Sequence, residues 1–242
     1  MLAGEPERVT VDYRRPAGRT VEGQPWDTVP VAALIAALPW RTFRWHQGQR
    51  HYSGTYWSAT QRDHVIYESR LELARLLFAD FDRRVSAIVA QPFLLHAVVG
   101  GAHRRHVPDF LLVVDDRAVI VDVKPARRLV DATVAATLAW TAEVVALRGM
   151  RYEVWTEPPE VELANVRFLA GYRRAWLFDA DLVARLSAAD LDGATVSVAA
   201  GCAAGWPAPV ARAAVLHLMW TGHLVFDMAV RLSGATVLRR PA

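Results

Sequence analysis

The sequence predicts an α/β fold: a mixed sheet flanked by helices, followed by a smaller helical module that ends in two short strands. Three observations carry this. A helical pattern over 65–80 precedes three apolar, strand-like runs between 85 and 123. A long helical pattern over 126–150 separates those runs from a further strand over 151–157. Past about residue 175 the text changes to short helices and a terminal alternating stretch.

Residues 1–37 are punctuated by Pro and Gly, with one short apolar helix in "VPVAALIAAL" over 29–38. "WRTFRWHQGQRHYSGTYWSAT" (40–60) interleaves aromatics with Arg and His around glycines, which reads as a β-hairpin. In "VIYESRLELARLLFAD" (65–80) apolar residues recur at helical spacing, and Glu68 and Glu72, four apart, share a face. "VSAIVAQPFLLHAVV" (85–99) reads as strand interrupted near Pro92, because proline lacks the N–H that a ladder needs. "HVPDFLLVVDDRAVIVDVKP" (106–125) is two apolar runs around the polar turn "DDRA", a hairpin signature. The helix over 126–150 ends at Gly149, and the strand "RYEVWTE" stops at Pro158 and Pro159. In the last third, "DADLVARLSAAD" and "PVARAAVLHLMW" are helical, and "TGHLVFDMAVRLSGATVLRR" alternates as two strands about Ser233 and Gly234. Helices followed by a two-stranded wing describe a winged-helix module.

Bulk composition narrows the function classes. With 53% hydrophobic and 22% charged residues, a chain of 242 residues can build a substantial core. No apolar run reaches the roughly 18 residues of a membrane helix, and the N-terminus lacks the charged-then-apolar pattern of a signal peptide. The single Cys202 excludes an internal disulfide and a Cys-rich zinc site, and it suits a reducing, cytoplasmic setting. A net charge of +3 with a pI near 9.3 permits an anionic partner.

The chemistry concentrates in the hairpin over 106–125. Lys124 is the sole lysine among 28 Lys and Arg residues. Alternation sends Asp122 and Lys124 to one face and Val121 and Val123 to the other. Pairing about a turn near 115–117 brings Asp109 to the same sheet end, after the acidic helix face of Glu68 and Glu72. Magnesium takes oxygen ligands, one or two carboxylates with water and phosphate oxygens. Asp109, Asp122 and the Val123 carbonyl are such a set, with manganese able to substitute. Lys124 beside them can orient a water, take its proton or stabilise a charged transition state. Arginine cannot act as a base. Asp115 and Asp116 read as turn residues, and His103 and His106 as part of a solvent-exposed or DNA-facing loop, with metal ligation as the other reading.

Pro-Asp followed by Asp-x-Lys, "PDF…VDVK", resembles the PD-(D/E)xK nuclease superfamily, whose members have restriction-endonuclease-like folds. The longer text "LPWRTFRW…YSGTYWSAT…YESRLELARLLFADFDRRVSAIVAQPFLL…VPDFLLV…VIVDVKPA" resembles the TnsA-like endonuclease subunits of heteromeric transposases over roughly 38–157. The resemblance implies an endonuclease domain over 38–174 and a winged-helix domain over 175–242, with 1–37 left without a role. It implies a catalytic set of Glu72, Asp109, Asp122 and Lys124, with Glu68 as second choice for the glutamate and Gln91 as a possible support. Metal falls to Asp109, Asp122, Val123 and Glu72. At position 122 this sequence has the Asp of the wider superfamily, so the set is complete. The implied activity is Mg²⁺-dependent hydrolysis at transposon 5′ ends. The implied partners are a DDE-type transposase subunit and an AAA+ regulator. Arg44, Arg50, Arg104, Arg105, Arg127 and Arg128 are candidate DNA contacts. Two other readings stay open on the residues alone: a stand-alone restriction or repair nuclease, and a non-catalytic DNA-binding adaptor on a nuclease-like scaffold.

Overall fold

Two units divide the chain in the computed structural model, which describes residues 9–41, 52–99 and 101–241. The first extends up to Asp80 and then over Arg84–Glu157; the second comprises Phe81–Arg83 and everything from Pro158 onward. The boundary therefore falls at the Pro158–Pro159 pair and not near 174. Two prolines lack the N–H groups to extend a ladder, and the second is well suited to start a helix.

The first unit opens with strands β1 (Thr10–Arg14) and β2 (Thr20–Pro25), then the short helix α1 (Val31–Ile35). A hairpin of β3 (Gly54–Ser58) and β4 (Asp63–Tyr67) leads into α2 (Arg70–Phe81). Next come β5 (Val85–Ala90), β6 (Leu94–Val99), β7 (Ala102–His106), β8 (Phe110–Val114) and β9 (Arg117–Val123). Helix α3 (Ala132–Ala146) and strand β10 (Arg151–Trp155) complete it. The central sheet has the order β10-β9-β8-β5, with β9 and β10 parallel and the other pairs antiparallel. A parallel pair needs a crossover, and α3 supplies it. This mixed sheet with helices is consistent with a restriction-endonuclease-like fold.

Several expectations move. The hairpin expected over 40–60 lies partly outside the described residues; a hairpin forms at 54–67, and the helix expected from 65 begins at Arg70. Alternation explains the shift: Tyr56 and Ser58 on β3, and Val65 and Tyr67 on β4, are buried at period two. The turn is tied down by buried Asp80, which accepts hydrogen bonds from Tyr56 Oη (2.8 Å), Ser58 Oγ (2.6 Å), Ala59 N (3.0 Å) and Thr60 N (2.8 Å). Gly54 is required here, since a Cβ would lie 2.5 Å from the Tyr67 hydroxyl oxygen.

The interruption at Pro92 does more than break a strand. It sends β6 into a second sheet, ordered β2-β1-β6-β7. The described part of the N-terminal segment, residues 9–37, is thus not an appendage. Val11, Tyr13, Trp26, Val29 and Leu34 pack in one core with Leu111 and Ile120 of the central sheet and Trp140, Val144 and Val145 of α3. Trp26 Nε1 donates to Val144 O at 2.8 Å.

The second unit holds α4 (Glu160–Leu169), α5 (Ala180–Ala188), α6 (Val196–Gly201) and α7 (Ala208–Trp220). Helix α4 packs against α7, which places 158–174 in this unit. The two terminal strands expected here are reduced, among the described residues, to isolated bridges at Thr195–Val237 and Val225–Arg239. Buried Asn165 explains part of this. Its amide donates to Met228 O (3.0 Å) and Val230 O (2.9 Å) and accepts from Leu232 N (2.9 Å), so that backbone is satisfied by a side chain in place of a ladder. Among the described residues no helix is long and apolar enough to cross a membrane.

Candidate active site

The β8–β9 hairpin builds the site. Asp115 and Asp116 both adopt positive φ (49° and 61°), so the two-residue turn is of the type that matches strand twist and fixes register. The ladder then runs from Val114–Arg117 to Phe110–Val121. One step further, Asp109 arrives opposite Asp122. Gln91 N continues the β5 pairing by donating to Asp109 O at 2.9 Å. Beyond β9, Lys124 N donates to Trp155 O at 3.0 Å, so the β10 ladder extends through the lysine and fixes its backbone.

Asp109, Asp122, the Val123 carbonyl and Lys124 meet at this sheet end. Lys124 Nζ lies 3.0 Å from Asp109 Oδ2, 3.1 Å from Val123 O and 4.0 Å from Asp122 Oδ1. Asp109 Oδ2 also accepts from Val123 N at 2.6 Å. The ammonium sits among the oxygens a divalent cation would use. Burial alone would lower the Lys124 pKa. Asp109, then Asp122 and Glu72, reverse this and leave it above the ordinary lysine value. Burial pushes the Asp109 carboxyl up, with the Lys124 charge opposing.

Glu72 joins from α2. Ser69 Oγ caps the helix by accepting from Glu72 N (3.0 Å), and Glu72 Oε2 reaches back to accept from Glu68 N (2.7 Å). This is a capping box shifted by one residue. Burial, then the negative charge of Asp109, raise the Glu72 carboxyl to about 7. The charges of Glu72 and Asp109 therefore act on each other, whereas Glu68 contributes to the cap through its backbone.

The Gln91 side chain is engaged outside this cluster: its Oε1 accepts from Arg41 N at 3.1 Å, and its carbonyl accepts from Trp40 N at 2.8 Å. It follows β5, which is an edge strand and not the middle of the sheet. Arg104 and Arg105 lie on β7, with Arg104 Nη1 reaching Ala136 O at 3.5 Å. Arg127 and Arg128 are exposed in a 3-10 turn directly after Pro125. Arg44 and Arg50 lie outside the described residues.

Two residues outside the expected catalytic set meet the site. His106 belongs to β7 and not to a loop, and its Nε2 lies 2.8 Å from both Asp122 oxygens. Tyr152 Oη donates to Asp122 Oδ2 at 2.5 Å. Burial, and then the Asp122 charge, push the Tyr152 phenol up. Tyr152 could have been found by parity: it pairs with Ile120 on the parallel strand, so it faces the same side as Asp122. No comparable signal marks His106, because it reaches Asp122 from another sheet.

Among the described residues no group of three or more His, Cys, Asp and Glu side chains forms a ready metal cage. The site offers instead two carboxylates and a backbone carbonyl, all hard oxygens, converging on a cation. Such a partial oxygen shell fits magnesium, which keeps several waters and shares its remaining positions with phosphate.

No curated protein matches the chain. Residues 82–157 match the family model described as TnsA-like endonuclease N terminal. The matched segment contains Asp109, Asp122, Lys124, His106 and Tyr152, and begins ten residues after Glu72. Over this segment the chain is similar to the N-terminal domain of TnsA-like endonucleases.

Proposed function

We propose that this chain is the Mg²⁺-dependent DNA endonuclease subunit of a heteromeric transposase, cutting phosphodiesters at transposon 5′ ends. Its partners in this reading are transposon-end DNA, a DDE-type transposase subunit and an AAA+ regulator. The observation that carries the chemistry is Lys124 Nζ between Asp109 Oδ2 (3.0 Å) and Val123 O (3.1 Å), with Asp122 Oδ1 at 4.0 Å. Asp109, Asp122 and the Val123 carbonyl would hold the metal, and Glu72 would join them by releasing the Glu68 N–H that it accepts from. Bound magnesium supplies Lewis-acid polarisation of the phosphodiester and a water of lowered pKa. With no metal bound, the surrounding carboxylates hold the Lys124 pKa above its ordinary value. In this reading Lys124 orients the attacking water, takes its proton or stabilises developing negative charge. The second unit, Arg104 and Arg105 of β7 and the exposed arginines of the 126–128 turn serve DNA and partner binding in this reading.

The test uses the full chain with its transposase partner and transposon-end DNA in Mg²⁺. Asp109→Ala removes a ligand oxygen and the lysine's anchor. Lys124→Arg keeps the charge but replaces a compact ammonium by a wider planar fork that cannot sit between the same two oxygens. Each variant should lose at least about 10²-fold in 5′-end cleavage, the usual cost of removing a group that stabilises developing charge. Wild-type cleavage by either overturns the site. Cleavage by the isolated chain without a transposase would favour a stand-alone nuclease.

A further inference from the structure

We propose that His106 and Tyr152 are positioning residues for the metal: together they fix which oxygen of Asp122 is offered to it. The inference rests on the metal-dependent reading above, and it concerns two side chains that reading does not use.

Asp122 is fully buried on β9 and is gripped by two separate elements. His106 comes from the end of β7 in the second sheet; Tyr152 comes from β10 in the central sheet. A carboxylate has about four lone-pair sites. Oδ2 accepts from Tyr152 Oη at 2.5 Å and from His106 Nε2 at 2.8 Å, which fills both of its sites. Oδ1 shares the imidazole at 2.8 Å and keeps a lone pair toward the side where Lys124 Nζ lies at 4.0 Å. Since a carboxylate accepts, the imidazole nitrogen facing it carries the hydrogen. The result is a carboxylate whose plane is locked and which presents one oxygen to the Asp109–Val123 side. A free carboxylate could turn, bind in a bidentate manner or pair with Lys124. Groups that orient a metal ligand through hydrogen bonds typically contribute ten- to hundredfold in metal affinity.

His106 also has a structural reason to be where it is. Only Val107 and Pro108 separate it from Asp109, so the crossing between sheets sets the imidazole and one candidate ligand together. Folding the second sheet against the central one therefore sets the geometry of Asp122 as well.

The experiment is titration of the full-length chain with Mn²⁺ alone by calorimetry, without DNA, alongside thermal unfolding of each variant. The wild type should bind, and Asp122→Ala should remove that binding. His106→Leu and Tyr152→Phe should each weaken Mn²⁺ binding by about tenfold or more. His106→Gln places an amide N–H near the position of Nε2, so it should restore affinity to within a few-fold of wild type. Wild-type Mn²⁺ affinity in His106→Leu, with Asp122→Ala inactive as a binder, overturns the positioning role and leaves the metal site standing. His106→Gln as weak as His106→Leu at equal thermal stability also overturns it. Absence of Mn²⁺ binding by the wild type overturns the metal reading and this inference together.

Discussion

A carboxyl whose pKa is raised in the folded state makes stability depend on pH with a definite sign, and Glu72 is such a group. Its carboxyl moves from 4.5 to about 7, first through burial and then through Asp109. Below pH 4.5 both folded and unfolded chains hold the proton. Between there and about 7 the folded chain keeps a proton that the unfolded chain has lost. Stability therefore falls as pH rises through this window, by on the order of 3 kcal/mol in full, since one pKa unit is about 1.4 kcal/mol. Glu72→Gln is neutral throughout and keeps an amide oxygen for the Glu68 N–H. Urea unfolding in EDTA at pH 5, 6, 7 and 8 should show the variant gaining on wild type as pH rises. Parallel pH profiles would show that Glu72 is an ordinary surface carboxylate. The same residue shows what spacing alone leaves undecided. Glu68 and Glu72 share a helical face in the sequence, but α2 begins at Arg70, so only Glu72 is a helix residue and its carboxyl turns back to Glu68 N.

At the scale of elements, those set by local chemistry were legible and those set by distant partners were not. The "DDRA" turn demands two residues at positive φ, and Asp115 and Asp116 are among the residues that tolerate it, so the β8–β9 register follows from the text. Gly149 at φ 65° closes the turn after α3, as its place in the text implies, whereas α3 starts at Ala132 and not at 126, because Asp131 caps it through Thr133 N and Val134 N. The β3–β4 hairpin was displaced because its determinant, Asp80, lies 20 or more residues away in sequence from the groups it satisfies. Asp80 sits one residue from the end of α2 and is 6% exposed. Asp80→Ala would remove the acceptor of two part-buried backbone N–H groups and of the buried Ser58 hydroxyl. Each such group costs about 1–3 kcal/mol. The expected loss is about 3 kcal/mol or more, read by chemical denaturation, with amide exchange at Ala59 and Thr60 accelerated beyond the global effect. Exchange at those two amides that only tracks global stability would mean the turn forms without Asp80.

At the scale of the first unit, the N-terminal strands decide whether the site has a rigid base. Pro and Gly in residues 1–37 hide β1 and β2 from any reading of periodicity, and their pairing partner β6 lies some 80 residues on. Yet Trp26 is 2% exposed in the same core as Ile120, two residues before Asp122 on β9. Its indole N–H donates to Val144 O at 2.8 Å, its ring meets Phe93 at a centroid distance of 5.2 Å, and the Arg148 guanidinium lies 4.9 Å from its centroid. Arg148 in turn donates to Val29 O at 2.7 Å, so N-terminal segment and α3 are bound to each other in both directions. Truncating a buried tryptophan costs about 3–5 kcal/mol through lost transfer energy and the cavity left behind. If residues 1–37 were an appendage, Trp26→Ala would change stability by well under 1 kcal/mol, as exposed substitutions do. The structure calls for the larger loss, in one cooperative transition of the first unit, followed by far-ultraviolet circular dichroism in guanidinium. The variant should also bind Mn²⁺ more weakly even below its unfolding midpoint, because loosening the layer that carries β6 and β7 loosens His106 on Asp122. A large loss of stability with undiminished Mn²⁺ binding in the folded fraction would separate the two roles and confine the N-terminal strands to holding the core.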